Sequence, residues 1–522
     1  MADELPLAGP AAKLRRRDAR WIWQAGVNAV QPEYCLAEAL DDLDPAFPPF
    51  KEFDRIIVVG AGKASGAMAR VLESALERRG IALSRVCGHV NVPNESVTPL
   101  KAIRLHGSRP AGTNQPTEEG FAGTRAILEL VSQAGPNDLL LCLFSGGGSA
   151  LMPAPVDGVS LADKQLVTEL LHRCGANIQE MNTIRKHLSK VKGGGLVRHF
   201  KGRRVLSFLI SDVVGDPLDT IASGPTCVDP TTHADALAVL EKYHLLKPAA
   251  HVARLPTTII NYLVKGGAGQ EPETLKEWPR DGGGQPIINN VIVANNQRAL
   301  EAAAARAKAL GYEVWNLGSY FEGETRQVAK VMAQMVQGLA EERRRCWGRP
   351  GGRSQRSEVR GQKSEARSQR SKVRSQKSEV KSQESEVGAG VGDHLALTAG
   401  YSPAPLCILS GGETTVTLSP KHGKGGRNQE FVLAMLRKLA KQLDGITILC
   451  GGTDGEDGPT DAAGAIGDAA IAAAAEARKL SKTDHLARHD AYHFFEPTGG
   501  LLKTGLTQTN VMDLRVFLIA PD

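Results

Sequence analysis

Long apolar runs are missing from this 522-residue chain. No stretch approaches the roughly 18 consecutive apolar residues of a spanning helix, so a helical membrane protein is excluded. The basic run Arg15-Arg16-Arg17 has no apolar segment behind it and does not read as an export signal. Paired cysteines are missing too. The eight Cys, at 35, 87, 142, 174, 227, 346, 407 and 450, form no CxxC pair, which leaves neither a zinc ribbon nor a redox motif. Several sit in apolar runs, as Cys142 does in Leu139-Leu140-Leu141-Cys142-Leu143-Phe144. Reduced, buried cysteines in a cytoplasmic protein are therefore expected. A P-loop is absent, since GxxxxGK[ST] occurs nowhere. With 42% hydrophobic and 23% charged residues, the composition excludes full disorder, a collagen-like chain and a disulfide scaffold.

Charge is present in slight excess: 63 Lys+Arg against 57 Asp+Glu, a net of +6. Its distribution removes the hint of a polyanionic partner. Residues 343–387 hold 14 Lys+Arg and 5 Glu, a net of +9, which leaves −3 elsewhere. Most of this stretch repeats a seven-residue unit: SQRSEVR, GQKSEAR, SQRSKVR, SQKSEVK, SQESEV over 354–387. Each unit has one apolar residue where a coiled-coil seam needs two. Such a composition cannot bury enough apolar area to offset chain entropy, so residues 343–393 read as a disordered insert. The repeats lack aromatics and their Glu residues dilute the charge, which argues against nucleic-acid binding.

On either side, short apolar runs end in Gly-rich turns and lead into amphipathic helices. Runs at 55–60, 138–144, 205–210, 290–294, 407–409 and 446–450 read as buried strands. Met68, Val71, Leu72, Ala75 and Leu76 form a helical stripe after the first of them. Alternation of this kind predicts mainly parallel sheets covered on both faces. The loop at 265–286 is the expected break between two α/β domains, at 20–265 and 287–522.

In open α/β sheets, ligands bind beyond the carboxyl ends of the strands. The first such turn is Gly60-Ala61-Gly62-Lys63-Ala64-Ser65. It approximates a dinucleotide turn, but Ser65 stands where a third Gly belongs. Lys63 at a helix start opposes the macrodipole; a solvated lysine is one reading and a partner anion the other. The second turn is Ser145-Gly146-Gly147-Gly148-Ser149. Its Gly146, Gly147, Gly148 and Ser149 suit an anion nest, while the elbow pattern of a serine nucleophile is absent. Asp212 follows the third strand and could hold Mg²⁺ or position a hydroxyl. Asp216, before Pro217, reads as a turn former. Arg427 follows a Gly pair and suits bidentate binding of a carboxylate or phosphate. The loop containing Asp454 is acidic and Gly-rich, yet position twelve from Asp454 is Ala465, which excludes an EF-hand. Cationic anchors, anion nests and acidic strand ends together point to phosphoryl transfer onto a small anion.

Seven motifs in order resemble the class II glycerate kinases, the glycerate 2-kinase family with a C-terminal MOFRL domain. They are GAGKAS at 60–65, SGGGSALMPAP at 145–155, NTIRKHLSKVKGGGL at 182–196, ISDVVGDPLDTIASGPT at 210–226, GGRNQE at 425–430, GGTDGEDGPT at 451–460, and the polar loop at 504–513. The resemblance implies two Rossmann-like three-layer α/β/α domains with an interdomain active-site cleft, the MOFRL part covering about 405–518. It implies ATP- and Mg²⁺-dependent phosphorylation of D-glycerate on the 2-hydroxyl, giving 2-phosphoglycerate and ADP. It also implies roles for Lys63, Arg427 and Asp454. On this basis Lys63 and Arg427 are expected to bind anions. Gly146–Ser149 and Gly224 are expected at the nucleotide, and Asp212 and Asp454 at the metal or the hydroxyl proton. The expected partners are glycerate and ATP, with no nucleic acid or membrane, and a homodimer is compatible. Family members have also been labelled hydroxypyruvate reductase, so an oxidoreductase is the first rival. A phosphosugar sensor without turnover is the second.

Overall fold

The structure is a computed structural model that describes residues 9–110, 115–246, 255–347 and 404–521. The 354–387 repeats, and with them most of the expected insert, lie outside the described residues. Two six-stranded sheets organise the rest.

The first sheet contains β1 (Ile56–Ala61), β2 (Val86–Pro93), β3 (Ile103–Arg109), β4 (Leu139–Phe144), β5 (Arg204–Ile210) and β6 (Ile288–Ala294). Every pair is parallel and the order is β3-β2-β1-β4-β5-β6. Both faces of β1 are buried: Ile56 and Val58 enter one core, Ile57 and Val59 the other. That explains its unbroken apolar run. The strand order reverses between β1 and β4, so the turns after these two strands meet at the switch point of the sheet. Helix Ser65–Arg78 carries the chain from β1 to β2, and Met68, Val71, Leu72, Ala75 and Leu76 are all buried on it. Helices Leu161–Arg173, Ile178–His187, His233–Lys242 and Thr257–Gly267 build a separate apolar cluster beside the sheet.

The second sheet contains β7 (Glu313–Asn316), β9 (Leu406–Gly412), β11 (Ile446–Gly452), β12 (Gly464–Asp468), β13 (Leu501–Leu502) and β14 (Asp513–Ile519). The short β8 (Gly323–Glu324) and β10 (Thr414–Thr415) pair with each other. The order is β13-β12-β11-β14-β9-β7. Within this six-stranded sheet only β7 and β9 run parallel. The expectation of a mainly parallel sheet is corrected here. Residues 453–463 return from β11 to β12 without a helix, and a connection of that kind pairs strands antiparallel. Both faces are nevertheless covered, with Ile446 and Ile448 in one core and Leu449 in the other. The chain thus forms two α/β units, one parallel and one mixed.

Three boundaries differ from the sequence expectation. β6 lies beyond the 265–286 loop yet pairs with β5, so that loop falls inside the first unit. Helix Pro10–Ala29 packs on the second sheet instead of the first: Trp23 Nε1 donates to the Gly451 carbonyl at 3.3 Å, and Ile22 and Val27 share a core with Leu449 and Val516. The run Arg343-Arg344-Arg345 does not belong to the insert expected at 343–393. It continues helix Thr325–Trp347, where buried Arg343 pairs with Glu313 at 2.8 Å. None of the described helices is long and apolar enough to cross a membrane.

Candidate active site

The turns after β1 and β4 interlock. Lys63 N donates to the Gly146 carbonyl at 2.9 Å, and Ala64 N donates to Ser145 Oγ at 2.9 Å. A Cβ on Gly62 would overlap the Ser145 hydroxyl, and one on Gly146 would overlap the Asp212 carboxylate. These glycines let two loops and a carboxylate occupy one small volume. The amides that a dinucleotide pyrophosphate would use at this turn are therefore already taken.

Lys63 reaches across to the second unit. Its Nζ lies 2.8 Å from Asp454 Oδ2 and 3.2 Å from Glu456 Oε2. Burial works against its charge, but these carboxylates more than offset that and hold Lys63 above the ordinary amine range. The anion required by its place at a helix start is thus supplied by the protein.

Arg427 opens helix Arg427–Leu439 and is also paired. Nε and Nη2 form a fork on Asp513 at 2.8 and 2.9 Å, while Nη1 meets Glu413 at 2.7 Å. Asp513 is completely buried. Burial would raise its carboxyl, yet the Arg427 guanidinium and the Asn428 amide keep it below the usual carboxylate range. Burial pushes Glu413 up to about 7 despite Arg427. Asp457 accepts from the Asn428 and Gln429 amides at 2.9 Å each, so it anchors the start of the same helix. Burial pushes it up to about 7 as well.

Asp212 stands at the end of β5 and accepts from Asn510 Nδ2 at 3.1 Å. Burial raises it to about 6, with nearby Asp454 adding to the rise and Lys63 and Arg427 opposing it. A cavity of about 410 Å³ opens between the two units. Its wall includes Lys63, Arg109, Arg427, Asp454, Glu456 and Gln508. Three of the expected residues, Lys63, Arg427 and Asp454, thus line one space. Asp212 and the 146–149 glycine loop are not part of that wall. Gly147 nonetheless borders it: a Cβ there would lie 3.6 Å from Lys63 Cγ. Ser149, also outside that wall, accepts from Arg185 and Lys192 and shares a 3.1 Å hydrogen bond with Ser223. Gly224 is a turn residue at φ 62°, its carbonyl taking the Gly194 amide at 2.7 Å.

Glu413, Glu456, Asn510 and Asp513 were not assigned from sequence. Each stands within or beside a Gly-rich or polar turn already singled out, so the signal was position and not residue type. Lys192 and Arg185 lie in the 182–196 motif, but nothing local marks them.

A model of the family described as a domain of unknown function, DUF4147, matches residues 18–256, and a model of the MOFRL family matches residues 406–513. The glycerate 2-kinase of Pyrococcus horikoshii is 34% identical over 514 residues, 98% of this chain and 98% of that protein. The chain belongs to the glycerate kinase family. The human glycerate kinase is 35% identical over 529 residues, 96% of this chain and 93% of its own. A solved structure of glycerate kinase from Thermotoga maritima superposes with a TM-score of 0.72 at 30% identity, covering 97% of this chain and 100% of that one. In this member of the glycerate kinase family, the cavity is walled from both matched regions: Lys63 and Arg109 from the first, Arg427, Asp454 and Glu456 from the MOFRL part.

Proposed function

We propose that the chain is an ATP-dependent kinase that phosphorylates D-glycerate on its 2-hydroxyl, giving 2-phosphoglycerate and ADP, with the cavity between the two units as its active-site cleft. The observation that carries this is the cross-unit contact of Lys63 with Asp454 and Glu456 beside Arg427, in a chain of the glycerate kinase family. Residues brought together from two units can be separated and rejoined as substrates enter and leave.

Glycerate offers one carboxylate and two hydroxyls. Arg427 keeps its fork on Asp513 and turns its Glu413-facing edge to the glycerate carboxylate. Glu413, pushed up to about 7, gives up that contact readily. Lys63 exchanges its carboxylate partners for the transferring phosphoryl group. Asp212 takes the hydroxyl proton, because a carboxyl raised to about 6 is ionised near neutral pH yet basic enough to accept one. The hydroxyl oxygen then bonds to the terminal phosphorus, the bond to the bridging oxygen breaks, and ADP leaves. Positioning and charge neutralisation do most of this work.

The acidic residues fit Mg²⁺. Asp454 and Glu456 already share one cation, the Lys63 ammonium, so the pair is arranged for positive charge. Among the described residues no three His, Cys, Asp or Glu side chains converge as a cage. Mg²⁺ held by one or two carboxylates and the donor phosphates needs none. Asp454, with Glu456 or Asp212, would hold it, and its chemistry there is neutralisation of phosphate oxygens.

The reductase alternative meets an obstacle at the β1 turn, where Ser145 and Gly146 occupy the Ala64 and Lys63 amides. A coupled ADP-release assay with ATP and D-glycerate tests the kinase reading, with the product resolved as 2- or 3-phosphoglycerate by phosphorus NMR. Absence of ADP release, together with hydroxypyruvate-dependent oxidation of a reduced nicotinamide, would overturn it.

A further inference from the structure

Lys186 and Lys192 are both 3% exposed, and the fold treats them in opposite ways. Lys186 Nζ is paired with Asp219 at 2.8 Å and Asp229 at 3.3 Å. That is the usual condition for a buried lysine. Lys192 meets no carboxylate among the described residues. It donates to Ser149, to the carbonyl at 2.8 Å and to the hydroxyl. Arg185 donates to the same hydroxyl and to Asn182 Oδ1 at 3.2 Å. Lys164, 9% exposed, has no hydrogen-bond partner for its Nζ. Burial and the Arg185 charge bring Lys164 down to about 7, and burial with both neighbours holds Lys192 far below the amine range.

Three basic side chains gathered without a carboxylate carry full charge only when something neutralises them. One carboxylate would leave most of that charge unmet, whereas a chain of phosphates offers several negative charges to a guanidinium fork and two ammoniums. The position agrees. Gly147 borders Lys63 at the cavity, and Ser149 lies two peptide units further on, at most about 7.6 Å away. A triphosphate can cover that span.

We propose that Arg185 and Lys192, which meet on Ser149, and the unpartnered Lys164 bind the phosphate chain of the phosphoryl donor. The proposal rests on the kinase reading for the identity of the donor, not for the binding of polyphosphate.

The test uses the full chain and three variants: Lys164→Met, Arg185→Met and the charge-keeping Arg185→Lys. Inorganic tripolyphosphate and ADP are the calorimetric probes. The Met variants should bind both at least about tenfold more weakly, with the KM for ATP raised equally and the KM for glycerate unmoved. Arg185→Lys should fall between wild type and Arg185→Met. Removing a buried amine that has no hydrogen-bond partner should also raise the melting temperature of ligand-free Lys164→Met. A purely structural role predicts the reverse, a lower melting temperature with unchanged tripolyphosphate binding, and that result overturns the proposal. Loss of tripolyphosphate binding in Lys164→Met, in a wild type that releases no ADP with glycerate, would sink the kinase reading and leave this site standing. Turnover in wild type with an unmoved KM for ATP in the Met variants would do the opposite.

Discussion

Lys63 and Asp454, 391 residues apart in the chain, meet at 2.8 Å and tie the parallel unit to the mixed one. Both are partly buried, so the pair is more than a surface bridge. It sits where the substrates of a kinase would have to enter. On the proposed kinase reading each residue has two partners to serve, the other residue before binding and a ligand afterwards.

This dual use separates two effects of mutation. Lys63→Met should reduce kcat by about 100-fold or more, as loss of a group that stabilises developing charge does. Its effect on stability should stay near 1 kcal/mol, because the pair keeps some access to water. A double-mutant cycle with Asp454→Asn, read by urea unfolding, should give a coupling of about 0.5–1 kcal/mol. Near-normal turnover of Lys63→Met would remove Lys63 from the chemistry.

Arg427 should behave differently, because Asp513 beneath it is completely buried. Removing the guanidinium leaves the interior carboxylate with only Arg515 at 3.5 Å and the Asn428 amide, a loss of up to about 3–5 kcal/mol. Arg427→Met should thus lose stability and activity together. Arg427→Met/Asp513→Asn should recover a large part of the stability and none of the activity. If the double variant melts no higher than the single one, the Asp513 pairing is not what the arginine stabilises.

Asp212 carries a prediction with a definite sign. A carboxyl raised to about 6 binds its proton more tightly in the folded state than in the unfolded chain. Its contribution to stability is therefore present at low pH and is lost as pH rises from about 4 to 6. Asp212→Asn should accordingly melt higher than wild type at pH 7 and equally at pH 3.5. In wild type, kcat/KM should rise with pH through an apparent pKa of about 6, the behaviour of a base that must be ionised. A flat profile between pH 5 and 7.5 would exclude Asp212 as that base.

What could be read from the residues, and what could not, follows from the range of the interactions. The strands of the first sheet are buried on both faces, so β1, β4 and β5 stand out as apolar runs, and their terminal turns locate Lys63, the 145–149 loop and Asp212. Strand direction in the second sheet depends on connections: the 453–463 return is unremarkable as sequence, yet it sets β11 and β12 antiparallel. The stripe of Ile22 and Val27 says that a helix is buried, not that it covers Leu449 and Val516, more than 400 residues away. Likewise Arg427 is visible beside its glycines. Its partners Asp513 and Glu413 belong to other strands and turns, and Lys164 stands out only because its Nζ meets no hydrogen-bond partner among the described residues.

The 354–387 repeats join the end of helix Thr325–Trp347 to the start of β9 at Leu406. Both flanks are fixed by the folded part: Arg343 holds Glu313 at 2.8 Å, and β9 pairs with β14 and β7. Neither flank contributes to the cavity wall. Deleting 354–387 should therefore leave kcat and both KM values unchanged, and shortening the connection should alter stability by well under about 1 kcal/mol. Carrying the deletion back through Arg343 should instead remove the Arg343–Glu313 ion pair and shorten a helix packed on the second sheet, lowering the melting temperature. A changed KM for ATP in the shorter deletion would show that the repeats reach the active site.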